Sequence, residues 1–455
     1  MSSVGIGSTT LSSAVGSTAG GLGVGIDVTT TVNQLMAMAR RPETAMQTQM
    51  QTNSQMISDL SGINSQLSAL STAVTSLSDP TGALAGQNAT SSNPSVITAT
   101  ADSTAAAGVH SIVVSQLATT STVYAVGVAA SATLDAGTMT FTIGGVQKQL
   151  TIDGTNNTVS TLASYINANS SSLGVTAGVL QNADGTQTLA LASNTSGTAG
   201  AVNVTGGPSQ LSFKTGVQAK DAQFTIDGVP VTQGSNTVTD VVPGMTFSLT
   251  GTSATGVSVG VSPDTAGVTT AIQTFVNSYN SLIKSINAQF TVDPSSHTEG
   301  SLGSDGALRT LQSQLLSQIS YSSGDASIHS LASIGVNMAN DGTLSIDQTK
   351  LKTALQGNFA AVKSFLQDST SGFATQLHTA MQGLTSPSNG LLNVDIKGLQ
   401  DTNTSLQKSI DDFEIRMQAQ QQQLLNEYNE INAELQMFPA QQSSIAAQLA
   451  SLSSK

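Results

Sequence analysis

Apolar residues recur at helical spacing near both ends of this chain and alternate with polar ones in between, so the pattern reads helix, β, helix. Toward the C-terminus Ile410, Met417, Leu424, Ile431 and Phe438 form a heptad row, flanked first by Leu406 and Phe413 and, beyond the glutamines at 420–423, by Tyr428 and Leu435. Toward the N-terminus Leu60, Leu67 and Val74 form a second row, with Ile63, Leu70 and Leu77 beside it. Both are seams of amphipathic helices. Burying them requires the two ends of the chain to meet.

A short helix is predicted over residues 27–41, capped by Asp27 or Thr29 to Thr31, with Val32, Leu35, Met36 and Ala39 on one face. Pro42 ends it or begins the next helix, whose face of Met46, Met50, Ile57, Leu60, Leu67 and Val74 runs to the stop signal Asp79-Pro80. From about residue 84 to 263 Val, Ile, Thr and Phe alternate between Gly, Asn and Asp, which predicts strands at 96–100, 109–117, 139–143, 149–152, 188–192, 223–226 and 246–249. One helix, 159–167, interrupts them with Leu162, Tyr165 and Ile166 on one side.

An internal echo runs through this region: Phe141 to Val146 reads like Phe224 to Val229, and Asn157-Thr158-Val159 reads like Asn236-Thr237-Val238. Gly144-Gly145 and Asp227-Gly228 are pairs that tight hairpin turns require, because both central positions have φ > 0. After Pro263-Asp264 the helical period returns in Ile272, Phe275, Val276, Tyr279, Leu282, Ile283 and Ile286, then in Leu308, Leu311, Leu315, Leu316 and Ile319. A short strand at 343–347 precedes a helix over 350–366, and the last seam spans 399–449.

The expected fold class is therefore α+β and multidomain: terminal helices forming a coiled-coil or helical bundle, with a central insertion of two mainly β domains. The expected division is residues 1–42 plus 430–455 as a flexible terminal leg region and 43–83 plus 264–429 as the helical bundle. Residues 84–124 plus 216–263 form one β domain, and 125–215 form a nested β domain with one short helix.

Composition narrows the function classes. Charged residues make up 9% of the chain, against roughly 25% in a typical soluble protein. The net charge of −13 argues against nucleic acid or anionic membrane lipid as a partner, since both need a basic footprint. Weakly charged surfaces repel each other little, which suits close packing of many copies. With 0 cysteines there are no disulfides and no thiol chemistry. No apolar run approaches the roughly 20 residues of a membrane span. The Ser/Thr/Gly-rich start lacks a basic and then apolar leader, so a cleaved signal peptide is not expected.

Candidate chemistry is sparse. The glycine run at 20–25 fits no phosphate-loop pattern and reads as a hinge before the first helix. Asn340-Asp341-Gly342 lacks the acidic positions of a calcium loop and reads as a hairpin turn. His110, His297, His329 and His378 stand apart, without metal-site spacing, and Asp411-Asp412 reads as a solvated helix face. No catalytic, cofactor or metal residues are assigned, and the chain reads as a non-enzyme.

The segments Gly20 to Asp27, Val32 to Met36 and Arg41-Pro42 closely resemble the opening of the flagellar hook-associated protein 2 family, the filament cap. Phe141 to Asn167 resembles a β-α module of axial flagellar proteins, while Leu331 to Val336, Asp341 to Asp347 and Leu351 to Phe365 resemble the family's C-terminal half. This resemblance implies an extracellular cap at the flagellum tip that retains exported flagellin and promotes its folding and polymerisation. It implies a ring homo-oligomer, a pentamer by that likeness, with flagellin, hook-filament junction proteins and a flagellar export chaperone as further partners. Export would use the flagellar secretion system. Gly21, Gly23, Gly25, Ile26, Asp27, Leu35 and Met36 would form the N-terminal hinge and leg. Leu60, Leu67, Val74, Ile410, Met417, Leu424 and Ile431 would form the inner seams of the subunit's own core. The outermost residues, 1–41 and about 430–455, would order only against filament neighbours. The alternative function is a secreted adhesin whose Thr/Asn-rich sheets bind host glycans.

Overall fold

The computed structural model describes residues 27–292, 294, 298–323 and 327–453. It opens with α1 (Val28–Ala39) and α2 (Arg41–Ser78), separated at Arg40. Pro42 sits in the first turn of α2, where its missing N–H would have had no helical partner. Leu60, Ile63, Leu67, Leu70, Val74 and Leu77 are all buried. The far end of α2 is closed by Gln367, whose Nε2 donates to the carbonyls of Leu77 at 3.0 Å and Asp79 at 2.8 Å.

The chain then leaves for a second compact unit, Pro80–Val268. Its first elements are β1 (Gln87–Ser91), β2 (Ile97–Ala101), β3 (Gly108–Gln116), β4 (Thr120–Ala129), β5 (Gly137–Ile143), β6 (Val146–Ile152), α3 (Val159–Ala168) and α4 (Ser170–Leu173). After them come β7 (Val175–Gln181), β8 (Thr186–Ser196), β9 (Val202–Gly206), β10 (Phe213–Val217), β11 (Ala222–Ile226), β12 (Val229–Gln233), β13 (Thr237–Val238), β14 (Met245–Leu249) and β15 (Val257–Pro263). Two modules share these strands. In the host module the sheets β1-β15-β3-β11-β12 and β13-β14-β2 enclose Ile97, Ile112, Val114, Phe224, Phe247 and Val259. In the nested module the sheets β10-β4-β8-β7 and β6-β5-β9, with α3, enclose Met139, Phe141, Leu162, Ile166, Leu189 and Leu191.

The sequence echo holds at the hairpins. Gly144 and Gly145 (φ 57° and 83°) turn β5 into β6, and Asp227 and Gly228 (φ 51° and 82°) turn β11 into β12. It fails at the Asn-Thr-Val triplets. Thr158 caps α3 by accepting from the Thr161 N–H, whereas Thr237-Val238 is strand β13. Val159 opens a run with Leu162, Ala163 and Ile166 at helical spacing; Val238, Val241, Val242 and Met245 repeat that spacing, but Pro243 and Gly244 fall inside the run and a helix cannot form through them. Tyr165 is not on the apolar side of α3 as expected; it is exposed, about 110° round the helix from the centre of the buried face at 3.6 residues per turn. All of β4 pairs with β8 and β10, so we place the division between the modules near residues 119 and 220 instead of 124 and 216.

The return strokes are α5 (Thr265–Phe290), α6 (Gly306–Ile319), β16 (Val336–Met338), β17 (Leu344–Ile346), α7 (Gln348–Gly357), α8 (Phe359–Gln367), α9 (Phe373–Leu384) and α10 (Leu391–Ser453). Asn340-Asp341-Gly342 does form the turn of the β16–β17 hairpin, with Gly342 at φ 82°. The helix expected over 350–366 is broken: Asn358 ends α7, and its side chain accepts from Ala361 N–H to start α8. Helix α9 was not foreseen. It packs on α2 and α8, with Phe373 edge-on to Phe275 at 5.9 Å and stacked on Phe365 at 5.8 Å.

Antiparallel pairing of α2 with α10 closes this unit. Asn53 Nδ2 donates to Asn403 Oδ1 at 2.9 Å, and Asn64 Nδ2 donates to Asn393 Oδ1 at 3.0 Å. Asn53 lies one heptad before Leu60 and Asn403 one heptad before Ile410, so the two apolar rows continue into a pair of amides. Elsewhere asparagine stands in for a neighbouring strand. Asn167 accepts from Ala177 N–H and donates to its carbonyl, and Asn236 does the same at Ala118 and Asn280 at Leu344.

Aspartates supply turns in the same economical way. In Asp102-Ser103-Thr104, Asp153-Gly154-Thr155, Asp184-Gly185-Thr186 and Asp341-Gly342-Thr343 the carboxylate accepts from the threonine hydroxyl and N–H, and both bonds hold the acid below the usual carboxylate range. Asp395 on α10 is the opposite case. Burial, and then hydrogen bonding and charge from Asp305, push it up to about 6. Asp305 commits Oδ1 to the Leu308 N–H at the start of α6.

Asn53→Leu alone leaves Asn403 Oδ1 without its donor in the seam and should destabilise the helical unit by about 1–3 kcal/mol in urea unfolding, whereas Asn53→Leu with Asn403→Leu should recover most of the loss. For pH, the turn aspartates have lowered values, so their contribution is present above the ordinary carboxylate range and lost as acid protonates them; Asp395 has a raised value, so its contribution is present in acid and lost as pH rises toward about 6. Asp395→Asn should therefore raise the melting temperature at pH 7 and leave it unchanged near pH 4; a drop at pH 7 would disprove this reading.

Candidate functional site

The first helix is built to lie on the last one. Asp27 caps α1 through Oδ1, which accepts from Thr30 N–H at 3.0 Å, and Oδ2, which accepts from the Thr30 hydroxyl at 2.6 Å; these bonds, the hydroxyl first, lower its pKa. Val28, Val32 and Met36 recur every four residues and pack against Phe413, Met417, Leu424, Leu425 and Tyr428 of α10. Arg40 Nη1 pairs with Glu43 Oε2 at 2.8 Å across the break between α1 and α2. Because α1 faces residues 413–428 and Asn53 faces Asn403, α1 and α2 run along α10 in one continuous antiparallel register.

Beyond Tyr428 that register has no further described partner. Helix α10 continues to Ser453, 63 residues in all, or about 95 Å of helix. Ile431, Phe438 and Ile445 keep the heptad of the inner seam but are exposed by 38%, 61% and 57%, and Leu435, Met437 and Leu449 are exposed beside them. Pro439 lies inside this stretch and cannot donate to the carbonyl four residues back. An apolar row of this kind is a binding surface or a liability, and its unbroken heptad period argues for the former.

The sequence-selected residues divide accordingly. Leu60, Leu67, Val74, Ile410 and Met417 are buried, and Leu424 is partly buried against α1. Ile431 is corrected: it does not belong to the subunit core, because α1 begins at Val28 and no described helix extends far enough to cover it. Of the leg residues, Asp27 caps α1, Met36 is buried and Leu35 half-buried, and α1 packs against α10 within the subunit. Gly21, Gly23, Gly25 and Ile26 lie outside the described residues. Sequence reasoning missed the amide pairs, although Asn53 stands one heptad from Leu60 and Asn403 one heptad from Ile410.

Chemistry of other kinds is not assembled. His110 Nδ1 pairs with Asp227 Oδ2 at 2.8 Å, which lowers the pKa of Asp227, and His378 lies 3.2 Å from the Thr75 hydroxyl; His297 is outside the described residues. Among the described residues no three His, Cys, Asp or Glu side chains converge as metal ligands, and no helix is long and apolar enough to cross a membrane.

Comparison with known proteins places this architecture. The model of the flagellar hook-associated protein 2 C-terminus matches residues 219–438, and that of the flagellar hook-associated protein 2 N-terminus matches residues 24–121. The B-type flagellar hook-associated protein 2 of Pseudomonas aeruginosa is 29% identical over 95% of this chain and 98% of its own length. The flagellar hook-associated protein 2 of Escherichia coli is 28% identical over 88% of this chain and 91% of its own length. A crystal structure of three domains of the flagellar cap protein from Escherichia coli superposes with a TM-score of 0.60 and 26% identity, covering 75% of this chain and 99% of that one. These relatives are flagellar hook-associated and flagellar cap proteins, and they give the adhesin alternative no support. With residues 24–121 and 219–438 matched by the two models of this family and a solved flagellar cap protein superposing on 75% of the chain, the chain belongs to the flagellar hook-associated protein 2 family.

Proposed function

We propose that this chain caps the distal end of a flagellar filament, retains exported flagellin there and promotes its folding and addition to the lattice. The observation that carries the mechanical part is the exposed heptad row of α10, Ile431, Phe438 and Ile445, which extends a buried seam past the end of its intramolecular partner. A helix presenting such a row is poised to pair with another helix of the same kind. We read this tail as the leg that grips the filament, and we propose Gly21, Gly23 and Gly25 as the N-terminal hinge. The β unit serves as the plate over the growing end.

The remaining partners are inferred from family membership. A closed ring of identical copies fits a chain of 9% charged residues, whose surfaces repel one another weakly. A pentamer, hook-filament junction proteins and an export chaperone complete the proposal, with export by the flagellar secretion route and a working place outside the cell. No enzymatic step is assigned. Electron microscopy of the purified full chain, counting copies per ring, tests the stoichiometry.

The leg reading makes a separable prediction. Phe438→Ser, Ile445→Ser and Leu449→Ser replace exposed side chains, so each should shift monomer stability by no more than about 0.5 kcal/mol. In a strain lacking the chain and complemented with the triple variant, flagellin should nevertheless appear as free monomer in the medium and filaments should be absent. Filaments of normal length from this variant would refute the assignment of the tail.

A further inference from the structure

The nested module hangs on the host module by two chain crossings, one leading into β4 and one leaving β10. They meet in a single antiparallel bridge, with Thr119 N–H donating to Lys220 O at 2.9 Å and Lys220 N–H donating to Thr119 O at 3.3 Å. Two adjacent tethers joined by one bridge make a hinge, and modules held only in that way swing by default.

A third contact lies to one side of that bridge. The turn after β8 reaches back to the host module, where Ser196 Oγ donates to Gly234 O at 2.7 Å. Thr198 N–H and Oγ1 donate to the two carboxylate oxygens of Asp221 at 2.6 and 2.8 Å. Gly234 follows β12, the strand beyond β11 from β3, so this contact is displaced by about one strand spacing, ~4.8 Å, from the crossing at Lys220. Asp221 is itself held in place, since Gln116 Nε2 donates to its carbonyl at 2.8 Å.

The seat is closely fitted. Gly197, between the two donors, has φ 78°, and its N–H donates to Thr119 O at 3.1 Å. A Cβ there would stand 2.6 Å from both the Gly234 Cα and Asp221 Oδ1, so a larger residue cannot enter without moving the modules apart. The bonds to Asp221 are charge-assisted, which makes them stronger than neutral ones, yet they lie at the surface where water competes for the same groups. We infer that the turn of Ser196, Gly197 and Thr198, seated on Asp221 and Gly234, is a releasable lock that holds the nested module at one angle on a two-strand hinge.

The cysteine-free sequence allows a direct test on the full chain. Gln147→Cys on β6 and Thr232→Cys on β12 place one spin label on an exposed position of each module. Pulsed dipolar spectroscopy of this pair should give one narrow distance distribution. Asp221→Ala should abolish the single narrow distance and give a broad one, Asp221→Asn, which keeps one acceptor oxygen, should fall between, and Ser196→Ala should broaden it in the same sense. Amide-exchange protection in β5 and β11 reports whether each module stays folded; if Asp221→Ala loses that protection, Ser196→Ala decides. A distribution as narrow in the folded variants as in the parent, or one already broad in the parent, overturns the lock. None of these readouts involves filament growth, so the result stands apart from the proposed cap function.

Discussion

The antiparallel pairing of α2 with α10 is the constraint on which the helical unit rests. It brings residue 53 to residue 403, hundreds of positions away along the chain, and aligns every later contact between the ends. Closing a loop of that length costs conformational entropy, but the cost grows only slowly with length, so a large β insertion is compatible with the pairing. Once α2 and α10 are in register, α1 is delivered onto residues 413–428 and the remainder of α10 is left beyond its partner. The exposed tail is thus a consequence of unequal helix lengths set against a fixed register.

Amides perform much of the work that charges do in other proteins. Asn53 with Asn403 and Asn64 with Asn393 mark the seam, while Asn167, Asn236 and Asn280 each bond both the N–H and the carbonyl of a single residue, as a β-partner would. A primary amide offers a donor and an acceptor without the desolvation penalty of an ion. This explains how a chain with 9% charged residues still specifies strand edges and helix register.

Much of the fold was legible where one local signal was unambiguous. The period of Leu60, Leu67 and Val74, the cap at Asp27 and the Gly144-Gly145 and Asp227-Gly228 turns each depend on near neighbours, and each appears where the sequence places it. Reading failed where a side chain answered to a distant partner. Asn358 broke a helix that the apolar spacing had run through, Tyr165 lay off its expected face, and β4 joined the nested module because its partners β8 and β10 are there. The same three residue types, Asn-Thr-Val, became a helix start in one place and a strand in another, since Pro243 and Gly244 interrupt the second run where nothing interrupts the first.

By itself the sequence determined the helix, β, helix order, the two terminal seams and the hairpin turns, because periodicity and backbone preference act within a few residues. It could not determine where the seam between the termini stops. Ile431 has the spacing of Ile410 and Met417 but lies 38% exposed, and only the length and placement of α1 distinguish them. Burial is a property of the pair of surfaces, and the second surface becomes known only when the chain has folded back on itself.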